Sequence, residues 1–226
     1  MKIHSRRCNI LRALSFAACN SNGRALLFLP LLAILAGCGI YHYDYNVTPS
    51  LTGKPGKTTV AVVGVDDRNR ENPGRFKPEY VGLFRDIMVA IPYFIHNKDK
   101  KPIADTLAND VALGLTQSGY RAASVPNPSI ESPQSALSAA RQSSPSRILL
   151  VRVNKFESDS QIRTEFGYDI TFEVYDTKGR LLASNRVQEL KMYGPSYPST
   201  VFARKNLPAT ISEALAKGVS PLMKDV

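Results

Sequence analysis

From Arg163 to Tyr175 the chain alternates with a period of two. Phe166, Tyr168, Ile170, Phe172 and Val174 share one parity, and Arg163, Glu165, Asp169, Thr171 and Glu173 share the other. Successive side chains of a strand point to opposite faces, so this pattern describes a half-buried strand of an antiparallel pair. A helix would scatter the same residues around its circumference. Asp176-Thr177-Lys178-Gly179 supplies a hairpin turn, and Leu181 to Tyr193 returns as the partner strand. A sheet with one apolar face needs a second layer to cover it, and the rest of the chain has to provide that layer.

Two helices fit that role. Pro102 suits a first turn, and Ile103, Leu107, Val111 and Leu115 recur every fourth residue beside Ala104, Ala108 and Ala112, until Gly119 stops the helix. At the C-terminus, Asn206 offers a cap and Pro208 a first turn for a stripe of Ile211, Leu215, Val219 and Leu222. Ser135 to Arg141 reads as a shorter, alanine-rich helix. Thr58 to Val65 is a continuous β-branched run, which suits a central strand covered on both faces. Tyr120–Val125 and Arg147–Val153 add further strands. The expected order β-α-β-α-β-β-β-α makes residues 58–226 a single α/β domain, with a mixed β-sheet and helices packed on it.

The most apolar stretch beyond residue 38 is Tyr80 to Ile95. Arg85 and Asp86 interrupt it and Pro92 breaks it, so it does not read as a membrane span. Two readings stand. Leu83, Phe84, Ile87, Met88, Ile91, Tyr93 and Phe94 could form an exposed surface for a protein partner or a membrane. Alternatively the stretch is a buried hairpin or short helix.

Little in the chain suggests catalysis. It has no Gly-x-Ser-x-Gly elbow, no phosphate-binding glycine loop and no cofactor motif. Beyond residue 38 the only histidines are His42 and His96, and there is no cysteine, which disfavours a thiolate metal site or a histidine triad. Asp66 and Asp67 follow the first long strand, where ligands often gather in α/β sheets. They could hold a cation, or form a solvated turn with Asp67 paired to Arg68. Lys98-Asp99-Lys100-Lys101 could touch anionic headgroups or be a solvated loop. The polar face of the last hairpin is expected to carry Arg163, Glu165, Glu173, Arg186, Glu189 and Lys191. The net charge is +10, but Lys2, Arg6, Arg7, Arg12 and Arg24 contribute half of it in the first 37 residues, which lack acidic residues. No basic run interleaved with aromatics points to nucleic acid, and nothing sets an oligomeric state.

Those first 37 residues have their own logic. Residues 25–36 form an apolar run after basic sequence, about 12 residues long where a span needs about 20, so they read as the hydrophobic region of a secretory signal. The run closes on Leu35-Ala36-Gly37-Cys38, which resembles the lipobox of bacterial lipoproteins. The resemblance implies a diacylglyceryl thioether on Cys38, cleavage before it and acylation of the new amino group. Two or three acyl chains anchor durably where one binds only reversibly. In enterobacterial lipoproteins an Asp after the cysteine retains the protein at the inner membrane. Gly39 stands there instead, which implies the outer membrane, facing the periplasm.

Residues 38–57, with Pro49, Gly53, Pro55 and Gly56, have the composition of a lipidated tether, reaching about 24 Å as a flexible coil. The Tyr41/Tyr43/Tyr45 alternation could be a short strand or an aromatic contact with the headgroup zone, or the segment could be ordered packing on the domain.

Taken with the Val-rich strand ending in Asp66-Asp67-Arg68 and the helix closing on Gly119-Tyr120, the chain resembles small outer-membrane lipoproteins of the YajG type. That resemblance implies a non-enzymatic envelope protein that binds protein partners or supports an envelope assembly, with no catalytic residues. The alternative is an accessory lipid-binding subunit of inter-membrane lipid transport, which would need an apolar cavity.

Overall fold

In the computed structural model the chain divides after Cys38 into two units, the second being Gly39–Val226. The structure describes residues 41–43, 45–53, 58–69, 77–85, 92–126, 132–160, 163–195 and 199–226, all in the second unit. The expected signal region and the lipobox-like residues Leu35, Ala36, Gly37 and Cys38 lie outside the described residues.

The described elements run β1 (Tyr41–Tyr43), β2 (Thr59–Asp66), β3 (Tyr80–Arg85), β4 (Pro92–Asn97), α1 (Ile103–Gln117), β5 (Arg121–Val125), α2 (Pro133–Arg141), β6 (Arg147–Ser160), β7 (Arg163–Tyr175), β8 (Leu181–Pro195) and α3 (Ser199–Val219). The strands form one mixed sheet. β6 is its spine. One flank pairs in parallel first with β2, from Arg147 to Val153, and then with β3, at Ser158–Ser160. The other flank pairs antiparallel with β7, which pairs with β8. β5 extends the sheet beyond β2, and β4 and then β1 extend it beyond β3. The α/β class with a mixed sheet is as expected. The element order also roughly matches the expected one, with a hairpin added from the Tyr80–Ile95 stretch and a short strand at Tyr41–Tyr43.

β2 shows why a continuous apolar run marks a central strand. Val60 and Val62 join the larger core under α1 and α3, while Ala61, Val63 and Val65 join a smaller core under α2. All five are at most 3% exposed, so both faces are covered, as a parallel strand flanked by helices requires. Gly64 lies where the strand meets the backbone of α1; a β-carbon there would collide with the Ala104 carbonyl. On α1 the four-residue stripe is fully buried, with Ile103, Leu107, Val111 and Leu115 each at 0% exposure. Burying each such side chain stabilises the fold by about 1.5–3 kcal/mol. Gly119, at φ 90°, ends the helix in the left-handed conformation that glycine adopts without steric cost.

The C-terminal helix starts earlier than the proline signal suggested. It begins at Ser199 and runs through Pro208, so Asn206 lies inside it. Proline removes one helical hydrogen bond, but Leu207, Ile211, Leu215 and Val219 are all buried against the sheet on the helix that continues past it.

Of the two readings of the tether, the structure has the ordered one over its described part. β1 pairs in parallel with β4. Tyr45 is buried edge-on to Phe156 with ring centroids 6.0 Å apart. The Val47 amide donates to the Asp110 carboxylate at 3.1 Å, and the Ser118 hydroxyl donates to the Leu51 carbonyl at 3.0 Å. The segment up to residue 53 therefore closes the outer side of α1. Asp110, fully buried on that helix, accepts one of its hydrogen bonds from this strap.

Candidate functional site

The Tyr80–Ile95 stretch divides between the two readings, because a hairpin has two faces. β3 and β4 pair antiparallel with Leu83 opposite Phe94 and Phe84 opposite Tyr93. Val81, Phe84 and Ile95 belong to the main core. Tyr80 is buried too, edge-on to Phe94 at 6.0 Å. Leu83 is half-buried on the opposite face, and Phe94 is 53% exposed. Of the residues expected on a contact surface, Leu83 and Phe94 reach solvent, whereas Phe84 is core. Ile87, Met88 and Ile91 fall outside the described residues, as does the side chain of Tyr93. A bulge between Tyr80 and Gly82 sets the two faces. Gly82 is needed there, since a β-carbon would strike the Ser158 backbone of β6.

The register extends this face across the sheet. Phe94 pairs with Leu83, Leu83 with Asp159, Asp159 with Glu165, and Glu165 with Met192. Residues paired across a sheet share a face. Arg85 closes on Asp159 through two contacts of 2.7 and 3.1 Å at the surface. At the far side, Met192 and Leu190 of β8 are each 56% exposed. The sequence reading missed this pair. Val187 faces the core opposite Ile170, so the even-numbered residues after it face outward. The same parity corrects the expectation for Glu189 and Lys191. They pair with Tyr168 and Phe166 and so lie on the helix-covered face. There Glu189 accepts from the Tyr168 hydroxyl at 2.7 Å, and Lys191 reaches Glu213 of α3 at 3.9 Å. Burial, then Glu189, pushes the Tyr168 hydroxyl well above the usual phenol range.

Between this face and the part covered by α2 lies a belt of interlocked charge. Arg152 reaches Asp67 at 2.6 Å and Glu173 at 3.2 Å, and the Tyr175 hydroxyl donates to Glu173 at 2.8 Å. Burial and then the Glu173 hydrogen bond push the Tyr175 hydroxyl up to about 12. Farther along, Arg186 and Asn154 both bind Asp169. The Arg186 hydrogen bond holds the Asp169 carboxyl below its ordinary range against opposing burial.

The aspartate pair after β2 is committed to other work. Asp66, not Asp67, takes Arg68, and the pair is buried rather than solvated, with both side chains 2% exposed. The guanidinium contacts Asp66 at 2.6 and 2.8 Å and also donates to the carbonyls of Tyr80 and Pro78. It thereby pins the start of β3 to the end of β2. Asp67 belongs to Arg152. Among the described residues, no three His, Cys, Asp or Glu side chains converge as a metal site. Lys98–Lys100 form a single 3-10 turn at the C-terminal end of β4, capped by the side chain of Asn97. Two depressions flank the start of β2, one lined by Thr52, Tyr120 and Met223 and the other by Val60, Ala122 and Pro145. Both are open to solvent, unlike the enclosed apolar cavity that a lipid carrier would use.

No family model matches the chain, and no curated protein does. Several solved structures are similar to it. The protein XCC0632 from Xanthomonas campestris, described as DUF330, is 16% identical, covering 82% of this chain and 92% of its own, with a TM-score of 0.48. The PelC dodecamer from Paraburkholderia phytofirmans is 16% identical over 78% of this chain and 93% of its own, at 0.40. Lipoprotein GNA1162 from Neisseria meningitidis is 13% identical over 68% and 99%, at 0.32. The expected YajG-type family is not among these matches, and with TM-scores below 0.5 none of the likenesses decides a role.

Proposed function

We propose that this is a lipid-anchored lipoprotein of the bacterial envelope, held at the periplasmic side of the outer membrane by acyl chains on Cys38. In this proposal it has no enzymatic activity and presents its open sheet face to a protein partner. The observation that carries the anchoring is the short apolar run that ends on Leu35-Ala36-Gly37-Cys38. One structural fact supports it: the first described strand begins at Tyr41, three residues after that cysteine. The partner surface is supported by outward Leu190 and Met192 on β8, which among the described residues pairs with no strand but β7. The non-enzymatic role is supported by the arginine partners that occupy Asp66, Asp67 and Glu173.

The test is photo-crosslinking in intact cells from positions 190 and 192, with Ser184 of the same strand as a control, alongside fractionation of a Cys38→Ser variant. One protein captured from 190 and 192 but not 184, and loss of the variant from the membrane fraction, are the expected results. A variant that stays with the outer membrane, or capture equal at all three positions, overturns the proposal.

A further inference from the structure

Resting on the anchoring proposed above, we infer that the β3–β4 corner is a second membrane contact, with Phe94 and Leu83 seated in the interfacial zone of the bilayer that holds the acyl chains. The chain outside the fold is short and ends at a defined place. Three residue steps separate Cys38 from Tyr41, a reach of at most about 11 Å. Tyr41 pairs with Ile95 on β4, the residue next to Phe94. With strands about 4.8 Å apart and neighbouring α-carbons about 3.8 Å apart, the lipid-bearing residue lies within about 20 Å of Phe94. The opposite end of the sheet is much farther away. Leu181 pairs with Tyr175, ten residues along β7 from the Glu165 level that Phe94 shares, or about 33 Å. A domain anchored at Tyr41 therefore brings the β3–β4 corner to the lipid and keeps the β7–β8 turn out of it.

The chemistry of that corner suits an interface. Phe94 is half in water although it sits opposite Leu83 and rests on Tyr80. Phenylalanine and leucine on an exposed face are side chains that bury at the headgroup–acyl boundary when a protein lies on a membrane. Arg85 follows on the same face, with its side chain 46% exposed and that of its carboxylate partner Asp159 at 40%, so the apolar pair is bordered by groups that favour the headgroup layer. The basic turn Lys98–Lys100 lies at the other end of β4, away from this contact.

The chain contains no tryptophan, so one introduced indole reports alone. The mature lipidated protein carrying Phe94→Trp is reconstituted into phosphatidylethanolamine–phosphatidylglycerol vesicles, with Leu181→Trp, also an exposed site, as the comparison. The expected result is a blue-shifted emission for position 94 and quenching by interfacially brominated lipid several-fold greater than at position 181. Equal, weak quenching at both positions while the protein stays on the vesicles overturns the membrane contact and leaves the anchor intact. Shielding of position 94 in native envelopes but not in pure lipid overturns it in favour of a protein occupant. A protein whose mass shows no acyl chain overturns the anchor and this contact together.

Discussion

Arg68 is the residue whose loss separates a buried structural pair from a functional acidic site. The substitution Arg68→Met leaves the Asp66 carboxylate, 2% exposed, with no cation at 2.6 Å, and takes a donor from the carbonyls of Tyr80 and Pro78. Removing one partner of a buried ion pair costs about 3–5 kcal/mol, because the remaining charge stays desolvated. For a unit of this size each kcal/mol lowers Tm by about 2–4 °C, so the loss is about 6–20 °C. Urea unfolding followed by circular dichroism reads the same energy as a lower midpoint at an unchanged slope. The double variant Asp66→Leu/Arg68→Met removes the orphaned charge and is expected to recover part of the loss, though not the carbonyl contacts. A single variant that loses less than about 1 kcal/mol, or a double variant no more stable than Arg68→Met, refutes the buried-pair account.

Three further outcomes follow from the geometry. Gly64→Ala drives a methyl into the Ala104 carbonyl of α1 and is expected to cost about 1–3 kcal/mol in thermal or urea unfolding, the usual range for overpacking. The Tyr175 hydroxyl is pushed up to about 12 and that of Tyr168 is also raised. Their folded-state preference for the neutral form therefore stabilises the fold below pH 10 and is lost as pH rises through the folded value. Absorbance titration at 295 nm should show Tyr168 and Tyr175 ionising late, and Glu173→Gln should bring the Tyr175 hydroxyl back toward 10. Asp169 is held low by Arg186, so its contribution is present above the ordinary carboxylate range and lost as pH falls through the lowered value. The Arg186→Ala variant should narrow the stability difference between pH 7 and pH 3, and only slightly for so exposed an arginine.

Much of the fold was legible because periodicity reports burial. The alternation of β7, the double-sided run of β2 and the four-residue stripe of α1 each placed the correct side chains in the core. What failed were local signals overridden by packing. Pro208 reads as a helix start, yet the buried stripe carries the helix through it. Asp67 and Arg68 are neighbours in sequence, but a residue and its next neighbour on an extended segment point apart, so the pairs formed are Asp66 with Arg68 and Asp67 with Arg152. The tether composition concealed Tyr45, Leu51 and the Val47 amide, whose partners lie more than 60 residues away on α1 or β6. At the candidate surface, the apolar content of Tyr80–Ile95 was visible but its division between faces was not, because a bulge at Gly82 sets the parity. Leu190 and Met192 were findable by counting parity from Val187.

The central claim is that Cys38 becomes the first residue of a lipidated protein. Intact-mass and peptide analysis of the protein extracted from membranes decides it. The account predicts a chain that begins at Cys38 and carries a diacylglyceryl group on sulfur and an acyl group on the terminal amine. A mature chain that begins elsewhere, or a Cys38 with a free thiol, contradicts it.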